Sequence, residues 1–189
     1  MGFGPPAVAV VDFVLDGAAL SASMPEPDGM AACAWAAADD WLSLFPGALP
    51  ADQAAYWSER LEDPDDGLEL AAVRALAWQF AEQVYAVPWW AAYRLCSAAA
   101  ANWLSFESWA VSAGFDPRGC AAARIVAGCW SWRLACLDPE QKDAAKELEA
   151  EVFAAPEGFA VSEAGHEAKL ARNRATFAQL GGGLLAPVP

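Results

Sequence analysis

Apolar and polar positions follow two different periods along this chain. From Ala7 to Leu15 the residues are small, β-branched or apolar (Ala-Val-Ala-Val-Val-Asp-Phe-Val-Leu), and the run stops at Asp16-Gly17. A β-branched run ended by a turn dipeptide predicts a strand, and no other segment gives so clear a strand signal. One strand cannot form a sheet alone. It pairs either with residues 18–22 as a hairpin or with the edge of a partner's sheet, and the pattern leaves both open.

After a linker at 23–28 the period becomes helical. Between Asp28 and Phe45, the residues Met30, Trp35, Trp41, Leu42 and Phe45 fall mostly at helical spacing, and Pro46-Gly47 is expected to stop the run. A short helix is expected at about 51–62. Past the turn Pro64-Asp65-Asp66-Gly67, the residues Leu68, Leu70, Val73, Leu76, Ala77, Phe80 and Val84 recur about every 3.6 residues up to Tyr85, the most periodic helix of the chain. Pro88 suits the first turn of a helix carrying Trp89, Trp90, Tyr93, Leu95 and Trp103, with Ser105 as cap of a successor that ends at Gly114 in the C′ position. Asp116-Pro117 and Asp138-Pro139 each offer an N-cap acid before an N1 proline, predicting helices over 117–137 and 139–153. Beyond Pro156 a polar helix could run from Ser162 to Phe177, before Gly181-Gly182-Gly183 and a terminal segment expected to fray.

The pattern predicts an all-α protein, an irregular helical bundle of about six to seven helices with a short N-terminal strand or hairpin and a flexible C-terminal tail. Its parts are an N-terminal strand-like arm and linker (1–27), a helical core domain (28–155) and a polar helix with a flexible tail (156–189). Alanine supplies much of the 57% hydrophobic content, so the ten Trp and nine Phe are expected to anchor the core.

Charge narrows the partners. The net charge is -14, and the first 66 residues hold twelve acidic groups against a single base, Arg60. Phosphate backbones and anionic membranes both need clustered cations, so nucleic acid and membrane are not expected partners. No apolar run approaches the length of a membrane span. Met-Gly-Phe-Gly-Pro-Pro lacks the basic start of a secretory signal, which points to the cytoplasm.

Chemistry is sparse. The one histidine, His166, lies in the polar tail, away from the aromatic helices. Cys33, Cys96, Cys120, Cys129 and Cys136 are odd in number and widely spaced without C-x-x-C, and they read as reduced, buried small hydrophobes. No metal, cofactor or catalytic residue is expected, and the chain is not expected to be an enzyme. An enzymatic reading would need His166 buried beside cysteines or acids. The carboxylates Asp39, Asp40, Glu62, Asp63, Asp65 and Asp66 have two readings: solvated faces and caps, or, with Glu59, an acidic docking surface formed by the first helices. Most of the tryptophans belong to a core. Trp89 and Trp90 point about 100° apart on one helix, so Trp90, and likewise Trp57, are candidates for a protein-binding site.

The segments Leu44-Phe45-Pro46-Gly47, Arg60-Leu61-Glu62-Asp63-Pro64-Asp65-Asp66, Pro88-Trp89-Trp90-Ala91-Ala92-Tyr93-Arg94-Leu95, Phe106-Glu107-Ser108-Trp109 and Gly114-Phe115-Asp116-Pro117, with Trp103, form a pattern over about residues 30–155. It resembles the tail assembly chaperones of long-tailed actinobacterial phages and prophages. The resemblance implies a helical protein of the bacterial host cytoplasm that binds the tape measure protein, keeps it soluble and helps tail tube protein assemble around it. It also implies a longer form made by ribosomal frameshifting near Gly181-Gly182-Gly183, although a plain terminal linker explains these glycines equally well. That longer form, or a second copy of the chain, is a further partner. The strand at 7–15 is not part of the recognised pattern, which leaves an alternative: a permanent structural or adaptor protein of the particle, such as a connector or minor tail subunit.

Overall fold

The computed structural model describes residues 10–15, 17–23, 29–38, 45–63 and 65–157. The polar helix expected after Ser162, His166 and the triple glycine lie outside the described residues.

The choice left open at the N-terminus resolves to a hairpin. Strands β1 (Val10–Leu15) and β2 (Ala18–Ser23) pair antiparallel, with Val11 opposite Ala22 and Phe13 opposite Leu20. All four of these side chains are buried, while Val10, Asp12 and Val14 face outward, so the two-residue period of the strand sorts apolar from exposed positions. Phe13 docks the hairpin: its ring meets Phe45 at 5.8 Å and Phe80 at 6.4 Å, both edge-on. The sheet would be marginal by itself, and this aromatic contact gives its inner face something to cover.

Seven α-helices follow among the described residues: α1 (Gly29–Ala38), α2 (Ala51–Glu62), α3 (Leu70–Tyr85), α4 (Trp89–Ala101), α5 (Trp103–Ser112), α6 (Ala122–Ala135) and α7 (Ala144–Phe153). A 3-10 turn, Phe45–Ala48, contains the Pro46-Gly47 pair expected to end the first helix. The helix expected at 51–62 is α2, and the strongly periodic segment is α3. No helix among the described residues is long and apolar enough to cross a membrane.

Three helix boundaries differ from the pattern, each for a local reason. Asn102 divides what was expected to be one helix carrying Trp89 through Trp103. Its backbone leaves the helical region (φ -125°, ψ 39°), and its side-chain amide donates to the carbonyl of Ala98 at 3.0 Å. The side chain thereby takes an acceptor of the last turn, as asparagine does at helix ends. Trp103 then opens α5, and Ser105 lies inside that helix. Asp116 and Asp138 do not cap helices. Each carboxylate accepts a backbone N–H two residues on, from Arg118 and from Glu140, both at 2.9 Å. These Asx turns satisfy the aspartate locally, so α6 and α7 begin about five residues later than expected. The expected end at Gly114 is correct: at φ +65° it follows α5, with Phe115 N–H donating to Ala110 O at 2.8 Å and Gly114 N–H to Val111 O at 3.2 Å. This is the paired closure of a Schellman motif, with Phe115 buried against the last turn.

The centre of the protein is formed by α1, α4 and α6, which pack on one another, with α3 also against α4 and α6, and α7 against α4. Their buried residues are mostly small: Ala32, Cys33 and Ala36 on α1, Ala92, Cys96 and Ala99 on α4, Ala127 and Cys129 on α6. Small side chains let helix backbones approach closely, so alanine matters here for helix spacing as much as for area. The large rings pack around this small-residue centre. Arg94 on α4 donates through one guanidinium nitrogen to the carbonyls of Glu151, Val152 and Ala154 at 2.8, 3.0 and 2.6 Å. It thus satisfies the otherwise orphaned carbonyls at the end of α7 and places a cation at the negative end of the helix dipole.

Helix α3 ends on Ala86 in the left-handed conformation, φ 58° and ψ 20°. A Cβ makes this region costly, by about 1–2 kcal/mol, whereas glycine adopts it freely but loses more freedom from the unfolded chain. Ala86→Gly is therefore expected to stabilise the fold by about 0.5–1 kcal/mol. The check is a higher denaturant midpoint at unchanged slope; a lower midpoint would show that the Ala86 methyl contributes more by packing than it costs in strain.

Candidate functional site

The acidic segment at the end of α2 divides into structural and exposed carboxylates. Asp66 is structural. Its two oxygens accept from Arg60 Nε and Nη2, each at 2.9 Å, and Oδ1 also accepts from the Leu68 N–H at 2.7 Å. The Arg60 guanidinium, helped by that N–H, holds the Asp66 carboxyl below its usual range. Asp63 accepts from the Asp65 N–H at 2.9 Å and shapes the same turn. Arg60 itself lies over the ring of Trp57 at 5.0 Å and of Tyr56 at 5.7 Å, so the sole base of the acidic third is already engaged. Glu59, Glu62, Asp63 and Asp65 remain exposed, with a half-exposed Tyr56 on the same helix. These residues form a negative surface that attracts basic partners. Asp39 and Asp40 lie outside the described residues.

Trp57 and Trp90, expected to face a partner, are placed in the core instead, at 3% and 4% exposure. Trp57 carries the Arg60 stack on its face, and Trp90 donates through Nε1 to Phe153 O at 3.3 Å, beside the Arg94 contacts to α7. Trp90 thereby serves the junction between α4 and α7, while Trp57 meets Arg60 and Tyr56 of its own helix. Adjacency on one helix did not separate Trp89 from Trp90, because both are buried between neighbouring elements: Trp89 stacks on Trp78 at 5.0 Å with planes 5° apart.

The large apolar side chains left outside are elsewhere. On α5, Leu104 is 80% and Val111 77% exposed. With the exposed Ser108 they lie at i, i+4 and i+7, a single line along the helix. Glu107 is the only charged residue of α5, so this outer face is nearly uncharged on a protein of net charge -14. The opposite face of α5 is buried through Phe106 and Ala110. Ser105 and Ser112 are exposed too, so the outer face sets two large apolar side chains among three hydroxyls, an uncharged surface suited to a second amphipathic element. Sequence reading passed over this face because large apolar residues occur on both sides of α5, which hides which side meets the core.

A second group was also missed. Cys33, Cys96 and Cys129 converge in the core, with their three Sγ atoms all within 4.8 Å of one another. They are separated by 63 and 33 positions in the chain, so no spacing motif announces them. The Cys33 Sγ–H donates to Cys96 O at 3.8 Å, and hydrogen bonds from the Cys129 and Cys96 thiols lower the Cys33 pKa. The hydrogen bond to Cys33 pushes Cys129 up, hydrogen bonds to Cys129 and Cys33 push Cys96 up, and burial raises both further. Nearby, Tyr85 Oη donates to Ala32 O at 2.6 Å, and burial raises its pKa. Cys120 is buried and donates to Pro117 O at 3.3 Å, while Cys136 is exposed.

Fold and surface together define an acidic, mostly helical protein with an N-terminal hairpin. No protein family, curated protein or solved structure matches this chain in comparison.

Proposed function

We propose that this chain is a tail assembly chaperone of a long-tailed actinobacterial phage or prophage, acting in the host cytoplasm on the tape measure protein. The observation that carries the binding part of this reading is the outward line Leu104, Ser108 and Val111 on α5. An uncharged helical face with Leu104 and Val111 as its apolar contacts takes in an amphipathic client helix, while the exposed carboxylates around Glu59, Glu62, Asp63 and Asp65 keep the complex soluble and draw basic client segments. The identity of the client comes from the sequence pattern over residues 30–155. Binding needs no catalytic group.

A second reading, a permanent structural or adaptor subunit, is favoured by one feature of the hairpin. The edge of β2 is partly covered, since the Ser21 N–H donates to Gln53 Oε1 at 3.1 Å, whereas the outer edge of β1 meets no other strand among the described residues. Such an edge can accept a neighbour's strand.

Co-expression of the tagged chain with tape measure, tail tube and connector proteins, followed by affinity capture and mass spectrometry, separates the two. The chaperone reading expects capture of the tape measure protein, loss of capture in the Leu104→Glu, Val111→Glu double variant with its helical circular dichroism unchanged, and absence of the chain from purified particles. Capture of tail tube or connector proteins alone, with the chain retained in particles, would favour the structural reading.

A further inference from the structure

Three helices deliver one sulfur each to the same point of the core: Cys33 from α1, Cys96 from α4 and Cys129 from α6. We propose that these residues form a three-thiolate site for a soft metal or metalloid ion, with a trivalent arsenite-type ion as the best match in charge.

Geometry comes first. Thiolate sulfur binds soft ions at about 2.3 Å, which sets three sulfurs about 4 Å apart around a planar centre and closer around a pyramidal one such as As(III). The triad, with every pair within 4.8 Å, contracts to reach that spacing, and ions with longer bonds need less. The donors are uniform. No histidine or carboxylate joins the three sulfurs among the described residues, and Ser131 is the only buried polar residue there apart from the tyrosine and tryptophans of the core. An all-sulfur set selects thiophilic ions over those that prefer oxygen.

Coordination number and charge then narrow the class. A structural zinc site almost always has four ligands. The fourth buried cysteine, Cys120, is engaged with Pro117 near the start of α1, about one helical turn from Cys33, and is not part of the triad. The set therefore suits ions that accept three. Three thiolates carry three negative charges into a core with no buried Lys or Arg among the described residues. A divalent ion would leave one uncompensated charge, and a trivalent one would leave none, which avoids the cost of burying a net charge. With arsenous acid the exchange is balanced and involves no redox change: three S–H and three As–OH groups give three As–S bonds and three waters.

The site is closed, so an ion enters during folding or through a local opening of the helices. The full-length reduced chain is therefore offered arsenite, and separately Cd²⁺, both after folding and during refolding from denaturant. For either ion, the expected result is one ion per chain, three of the five thiols protected from alkylation, and a raised thermal midpoint. X-ray absorption of the unmodified chain is expected to count three sulfur neighbours, which needs no variant to fold. Cys129→Ala is expected to lose the adduct, while Cys120→Ala and Cys136→Ser keep it. Absence of any one-to-one adduct with both ions after refolding, fewer than three sulfur neighbours, or an adduct that survives Cys129→Ala but not Cys136→Ser would overturn the proposal and leave the triad as three small packing side chains.

Discussion

Phe106→Ala is expected to destabilise the fold by about 3–5 kcal/mol, the range for removing a fully buried phenylalanine ring. Phe106 has 0% exposure and is the hub of a ring cluster, with centroids of Trp103, Trp132, Trp109 and Phe115 at 5.4, 5.8, 6.0 and 6.3 Å. Those rings belong to α5, to α6 and to the turn that joins them, so no single helix can shift to close the space. The cavity term is correspondingly large, because large aromatic neighbours collapse poorly onto a void. Equilibrium denaturation is the check. A loss below about 1.5 kcal/mol would mean that the cluster repacks, and that the ring array is less well determined than its geometry implies.

Gly128→Ala is the second. In an ordinary helix interior this change stabilises by about 1 kcal/mol, since alanine is the better helix former. Here a methyl group on Gly128 would stand 2.6 Å from Phe115 Cε1 and 2.7 Å from Cζ. The Phe115 ring cannot easily retreat, because the Schellman closure after α5 fixes its backbone and Phe106 and Trp109 pack on its faces and edges. The expected outcome is a net destabilisation of about 1–3 kcal/mol, reversing the sign of the propensity effect. The two changes should also couple. Phe106→Ala opens room beside Phe115, so the double variant is expected to lose less than the two single losses added, by about 0.5–3 kcal/mol in a double-mutant cycle. Additive losses would show that Phe115 moves toward a different space.

Much of the fold was written in local pattern. The hairpin strand, the periodic helix α3, the short α2 and the Gly114 stop each depend on residues within a few positions of one another, and local chemistry decides them. The Asp-Pro pairs show where local reading divides: an aspartate before proline can cap a helix or close an Asx turn, both satisfy its carboxylate, and here each closes a turn. Asn102 is similar, a residue whose amide competes with the helix it would otherwise continue.

The candidate sites were less legible. Counting charges marked the acidic stretch correctly, but not that Asp66 is committed to Arg60 and Leu68 while Glu62, Asp63 and Asp65 stay exposed. Adjacency and aromatic type made Trp57 and Trp90 candidates for a surface, although both are buried in the core.

The sequence by itself determined the class of the protein: acidic and mostly helical, with one short strand near its start. These follow from composition and from periods of two and 3.6 residues, which each segment carries independently of the others. Only the tertiary structure decided which face of α5 looks outward, which tryptophans are buried, and that Cys33, Cys96 and Cys129 meet. A helix with large apolar residues on both sides has no preferred face until its neighbours take one. Sulfurs 63 and 33 residues apart become neighbours only when α1, α4 and α6 pack on their small side chains.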